Sequence, residues 1–437
     1  MPTERLSHLA LAALLAAGCT GDNALGGDSS DGTAEVPDLG RSPDLAPPPP
    51  DLADNGSASS VYPAPHPDPP QESTGGGPTL RSPKFVPVFF AGDDMDLAMK
   101  VADFASRVGA TEYWKTTTGE YGVGPATAAP PVFLKEMAPA SIDDGGIQTW
   151  LVTKLNSDDP ELPAATGNTI YVIHYPAGTT ITLPSGGGNA TSCQDFGGYH
   201  SDTVLDSKHG NLDIAYAVIP RCDSFGALTG LDAVTGTESH EMIEAATDPH
   251  PQDNPAYYGV DDDHFYWQFA LGGGEAADLC AQFPGVFVQF PELPYTVQRS
   301  WSNVSALAGH DPCVPTLPGR VYFNAAPDFK ETMTILIQGQ SLTLPGVVVP
   351  VGQSKTVDLA LFSDGDTGGP WTVTVKDFGG GSSSFQYSLD RSQGENGERL
   401  HLTIKSVSAS QRGRGMFYVV SKLNGKANMW FGEVSQK

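Results

Sequence analysis

Apolar positions along the chain change their period several times, and each change marks an element. Phe85-Val86-Pro87-Val88-Phe89-Phe90 is a continuous apolar run of strand length. From Met95 to Val108, Leu97, Val101, Phe104, Ala105 and Val108 recur at helical spacing, and Gly109 ends the run. Ile147 to Leu155 reads as a further short helix, Thr169 to His174 and Leu212 to Pro220 as strands, and Thr229 to Thr247 as a longer helix. Strands alternating with helices predict one α/β or α+β domain over residues 81–315. Beyond Pro315 the pattern is one of short β-prone runs between Gly, Asp and Ser turns, such as Thr332 to Ile337, Trp371 to Val375 and Met416 to Val420. It predicts a β-sandwich-like module over residues 316–437 with a structural or packing role, the alternative being carbohydrate or surface adhesion through exposed aromatics such as Trp430. Residues 19–80, rich in Pro, Gly, Ser and Asp, bury too little apolar area to offset the entropy of ordering and predict a disordered linker.

The first residues read as a targeting segment. Arg5 precedes a short apolar run, Leu9 to Ala17, which is too short to span a bilayer and suits a removed signal peptide over residues 1–18. Ala16-Ala17-Gly18-Cys19 resembles the lipobox of bacterial lipoproteins. That resemblance implies a lipid on Cys19, a membrane partner reached through that lipid, and a place in the cell envelope at the outer membrane or cell surface. Four cysteines remain: Cys193, Cys222, Cys280 and Cys313. An exported chain keeps disulfides, and the sequence-local pairing is Cys193–Cys222 with Cys280–Cys313. The net charge of −27 argues against nucleic acid as a partner, because phosphates call for Lys and Arg clusters.

Chemistry concentrates in Thr237-Glu238-Ser239-His240-Glu241-Met242-Ile243-Glu244, ahead of Asp248-Pro249. Positions four apart lie on one helical face, so His240 and Glu244 can share a zinc ion. The segment resembles the H-E-x-x-H helix of zincins, with Glu244 in place of the second His. The resemblance implies that Glu241 is the general base toward an activated water. A third ligand is expected from Glu275 or Asp278, which follow the Gly272-Gly273-Gly274 run, and Asp248 is a candidate acceptor behind the ligands. His200, after the Gly197-Gly198 turn, is a further candidate ligand or proton carrier, and His174 is a candidate at the end of a strand. The acidic triplet Asp261-Asp262-Asp263 offers hard oxygen ligands suited to calcium but lacks the EF-hand spacing.

Spaced motifs also connect residues 85–315 with one family. They are Val86-Pro87-Val88-Phe89-Phe90, Cys193 with Gly197-Gly198-Tyr199-His200, Val218-Ile219-Pro220-Arg221-Cys222, Gly230-Leu231-Asp232-Ala233, Thr247-Asp248-Pro249 and Tyr257-Tyr258-Gly259. Together they resemble the phosphate-induced protein, or EXORDIUM-like, family of secreted proteins. That resemblance implies an extracellular protein tied to growth signalling, without an established activity. Two functional expectations follow. One is an exported zinc-dependent hydrolase, peptidase-like, acting on a peptide or protein substrate. The other is a non-catalytic binding or signalling lipoprotein in which the same helix is structural.

Overall fold

The computed structural model describes residues 56–185, 188–337, 340–378 and 384–437. Residues 1–18, expected to form a signal peptide, and Cys19 lie outside the described residues. Two compact units emerge: Asp68–Arg320 with Ile335–Leu344, and a second containing Val321–Thr334 and Pro345–Lys437.

In chain order the first unit begins with β1 (Glu72–Thr74), β2 (Lys84–Ala91), α1 (Met95–Val108), α2 (Glu112–Thr118), β3 (Thr127–Ala128) and β4 (Val132–Met137). Next come β5 (Ser141–Asp143), α3 (Asp144–Asn156), β6 (Thr169–Tyr175), β7 (Thr180–Ser185), β8 (Gly188–Thr191), β9 (Tyr199–Val204) and β10 (Asp213–Pro220). The short pair β11 (Ser224–Phe225) and β12 (Leu228–Thr229) leads into α4 (Gly230–Thr247). β13 (Tyr257–Val260), α5 (Tyr266–Leu271), α6 (Asp278–Ala281), β14 (Phe287–Phe290), β15 (Leu293–Gln298), β16 (Ser300–Trp301), α7 (Asn303–Leu307) and β17 (Cys313–Val314) complete the unit.

The main sheet has the order β3-β2-β6-β10-β9, with β4 also pairing β2. All its pairings are parallel except β9 with β10. Side chains alternate between the faces of a strand, and here both faces are buried. Phe85, Phe89, Ile170, Val172, Ala215 and Ala217 pack with α1, α2 and α4. Val86, Val88, Tyr171, Ile173, Tyr216 and Val218 pack on the opposite face with α3. Burial on both faces explains why these strands read as continuous apolar runs rather than as alternation.

Helix α4 is an exception to amphipathic patterning. It is buried from Ala233 to Thr247 apart from a partly exposed Thr237. Val234, Met242, Ile243, Ala245 and Ala246 join the core, while the acids and His240 turn elsewhere. Its Thr229 cap position makes no side-chain cap hydrogen bond.

The second unit, among the described residues, is made of strands. One sheet joins Phe323–Asp328, Ser354–Ser363, Arg399–Ser406 and Phe385–Leu389; another joins Val347–Val348, Lys426–Ser435, Arg414–Leu423, Trp371–Asp377 and Gln393–Gly394. Leu359, Leu402, Trp371 and Phe417, drawn from both sheets, share one core. Trp430, expected to be exposed, is instead 4% exposed and meets Phe362 edge-on. Its indole fills the module rather than offering an adhesive face.

Two expectations at the N-terminal side change. The linker expected to run to residue 80 ends earlier: β1 pairs antiparallel with β13, and Ala64 and Leu80 are buried. Backbone pairing with a distant strand supplies what the local composition lacks. Among the described residues no helix is long and apolar enough to cross a membrane.

Candidate metal centre

The site is built on α4. His240 Nε2 lies 3.1 Å from Glu244 Oε2, one turn away, and 3.5 Å from Asp278 Oδ1. Two donors at 2.0–2.1 Å from one tetrahedral zinc stand about 3.3 Å apart, and the observed separations bracket that value. These three side chains converge as one group of ligand type. Asp278 opens α6 and is held by its own backbone, whose N–H donates to Glu244 Oε1 at 3.1 Å. Gly273 makes room for it: a Cβ there would stand 1.7 Å from Asp278 Oδ2.

His240 is oriented from behind. Gln298, at the end of β15, donates Nε2–H to Ala277 O at 2.7 Å, which turns its Oε1 toward His240 Nδ1 at 3.1 Å. A carbonyl oxygen accepts, so Nδ1 carries a proton and Nε2 faces Glu244 and Asp278. The backbone N–H of Gln298 in turn donates to Ser239 Oγ at 2.9 Å. This orienting residue is 58 positions from His240 in the chain, and no local pattern marks it.

Glu275 takes a different place from Asp278. Its Oε1 is 3.5 Å from His200 Nε2, and it is not grouped with His240. His200, carried by β9, joins the centre more closely than its lone position in the sequence indicated. Its Nδ1 stands 3.6 Å from Glu244 Oε2 and 3.7 Å from Glu241 Oε2. Glu244 Oε2 is thus common to both imidazoles. Close approach of the β9 segment requires Gly198, where a Cβ would meet Thr237 Cγ2 at 2.7 Å and Glu241 Cγ at 3.0 Å. Asp248 accepts from the Ala256 N–H at 2.7 Å and so holds the turn after α4. His174 is fully buried below the helix, 3.3 Å from Glu238 Oε2 and stacked on Phe89.

Charge is out of balance here. Glu72, Glu244, Asp248, Glu275 and Asp278 are all buried around His200 and His240. Burial drives the carboxyls of Glu72, Glu275 and Asp278 well above the usual carboxylate range, and neighbouring carboxylates add to it. Burial pulls the imidazolium of His240 down, but Glu244 and Glu241 outweigh it and hold its pKa well above the ordinary value. His200 is raised for the same reason, with Glu241 and Glu244 opposing burial. Burial raises Glu244, yet the two imidazoles outweigh it and hold its carboxyl low. Glu275 Oε1 and His200 Nε2 are buried without a hydrogen-bond partner. Buried carboxylates are costly unless paired or metal-bound, and this donor set of imidazole and carboxylate fits a divalent cation. His240, Glu241, Glu244 and Asp278 border a cavity of about 730 Å³.

Both disulfides flank ligand segments. Cys193–Cys222 joins the segment before β9 to the residue pair after β10, and Cys280–Cys313 ties α6 to β17. These are the sequence-local pairings, and they fit an exported chain in an oxidising compartment. The acidic triplet has a local role instead. Asp261 accepts from the Gln71 and His264 N–H groups and pairs with His264 Nδ1 at 2.8 Å, and no group of ligand-type side chains among the described residues includes the triplet.

No family model matches this sequence, and no curated protein matches it. Solved structures give small likenesses. Domains 4 and 5 of the S-layer protein SbsC align with 25% of this chain and 52% of their own, at 16% identity and a TM-score of 0.16. The titin M3 domain aligns with 26% of this chain and 95% of its own, at 12% identity and a TM-score of 0.17. The chain thus spans about half the length of the SbsC fragment it matches. Likenesses of this size bear on neither fold nor function.

Proposed function

We propose that this protein is an exported, lipid-anchored zinc-dependent hydrolase of the peptidase type. The observation that supports it most is the convergence of His240 Nε2, Glu244 Oε2 and Asp278 Oδ1 at the edge of an open cavity. His240, Glu244 and Asp278 would hold the ion, which supplies Lewis acidity and an acidified water. Glu241, next to the ligands and on the cavity wall, accepts a proton from the attacking water. His200, within 3.7 Å of Glu241, positions that carboxylate and passes the proton on. Gln298 keeps His240 in the ligating tautomer. The proposed anchor is a lipid on Cys19. The α/β arrangement of the first unit and the sandwich arrangement of the second are part of this reading.

The test is metal analysis of the purified protein with hydrolysis of a peptide library. Wild type should hold zinc and cleave peptides. Glu241→Gln should keep the zinc and lose cleavage by about 10²–10⁴-fold, the usual contribution of a general base. Full cleavage by Glu241→Gln would remove its role. Zinc-loaded wild type that cleaves nothing would favour the non-catalytic binding lipoprotein instead.

A further inference from the structure

A second group of ligand-type side chains lies away from His240. Asp202 on β9, Asp213 on β10 and His250 in the segment after α4 bring two carboxylate oxygens and one ring nitrogen within 4.8 Å of one another. The register explains the two acids. Asp202 opposes Ala215 and Val204 opposes Asp213, so both acids share the face that α4 covers. Asp202 also accepts from the Gln252 N–H at 3.2 Å, which draws the 250–253 segment over the strand pair.

The group is donor-poor. His250 is 8% exposed and Asp202 5%, and both His250 Nδ1 and Asp213 Oδ1 are buried without a hydrogen-bond partner. No lysine or arginine among the described residues pairs with any of the three. Two acids confined with an unsatisfied imidazole are unfavourable unless something positive joins them.

We propose that Asp202, Asp213 and His250 form a second divalent-cation site, distinct from the one on α4. One imidazole and two carboxylates suit zinc or manganese rather than calcium, which takes oxygen ligands. Their ligand atoms already lie within 4.8 Å of one another, so small side-chain rotations suffice to seat an ion. Asp202 and Gln252 line the cavity, which leaves further coordination positions to water. The bound ion ties the 250–253 segment to the β9–β10 edge. It thereby fixes one wall of the cavity, and its role is structural.

The experiment uses the full chain, stripped with chelator and titrated with zinc by equilibrium dialysis. Wild type should take two equivalents; His250→Gln and Asp202→Asn should each take one; His240→Ala should also take one. Zinc should slow proteolytic cleavage within 249–256 in wild type and in His240→Ala, and leave it unchanged in His250→Gln. The proposal is overturned if His250→Gln and Asp202→Asn, both folded by near-ultraviolet circular dichroism, keep the wild-type stoichiometry. A single wild-type equivalent that is lost in His240→Ala and kept in His250→Gln overturns it and leaves the α4 centre standing. A single equivalent with the opposite dependence supports it and removes the α4 centre instead.

Discussion

At the scale of single residues, the proposed centre depends on groups outside its three proposed ligands. Gln298 is the clearest, because its amide is fixed by Ala277 O and so presents an acceptor to His240. Gln298→Leu should lower zinc affinity about 10–100-fold, the range seen when an outer partner of a ligating His is lost. Competition against a chromogenic chelator would read it; unchanged affinity would remove Gln298 from the site. Gly273→Ala should cost at least about 10-fold by the same assay, since the new Cβ would occupy the place of Asp278 Oδ2. The His240–Glu244 pair stood in the sequence because helical spacing alone brings i and i+4 together. Gln298 did not, and His200 stood only as an isolated candidate, because each reaches the centre from a strand far along the chain. The Gly197-Gly198 pair next to His200 was the one local signal, since adjacent glycines permit close backbone approach.

At the scale of elements, α4 shows what a helix carrying buried acids gives up. A helix buried on nearly all sides would ordinarily be apolar throughout, yet α4 carries Glu238, His240, Glu241 and Glu244 inside. Core contact by Met242 and Ile243 compensates in part, so Ile243→Ala should destabilise the fold by about 2–5 kcal/mol. Denaturant titration measures this, and a loss well under 1 kcal/mol would mean that α4 is held by its polar side. The loop stapled by Cys280–Cys313 spans 33 residues. Its removal by paired Ser substitution should cost about 4 kcal/mol through loop entropy and weaken zinc binding by loosening Asp278. Strand runs and α1 were legible in the pattern of apolar positions, and α4 in its run of helix-forming residues closed by Pro249. The structured 56–80 segment was not, because its order comes from distant partners, Glu398, Asn396 and Phe362 for residues 56–66 and Tyr257–Val260 for Glu72–Thr74, rather than from its own composition.

For the whole molecule, the buried acids set the response to pH. Burial pushes Asp202 and Asp248 up to about 6 in the folded chain, against about 3.9 unfolded. Between those values the folded state holds protons that the unfolded state has released, so stability falls as pH rises. His240, raised above its ordinary value, adds in the same direction: its contribution is present below about pH 6.5 and is lost as pH climbs through the raised pKa. Metal-free protein should therefore melt higher at about pH 5.5 than at about pH 8. Zinc replaces the protons and should reverse that order. Melting curves in chelator and in zinc compare the two; a chelated protein that gains stability toward pH 8 would contradict the proton accounting.

Local information along the chain carried the periodicities, the acidic excess, the cysteine spacing and the one-turn His–Glu pair, because each rests on neighbours within a few residues. Long-range packing alone settled that Asp278 rather than Glu275 meets His240, that His200 enters the centre, and that Trp430 lies inside its module. Those outcomes depend on which distant strands become neighbours. Contacts between residues tens of positions apart leave no periodic trace in a single sequence.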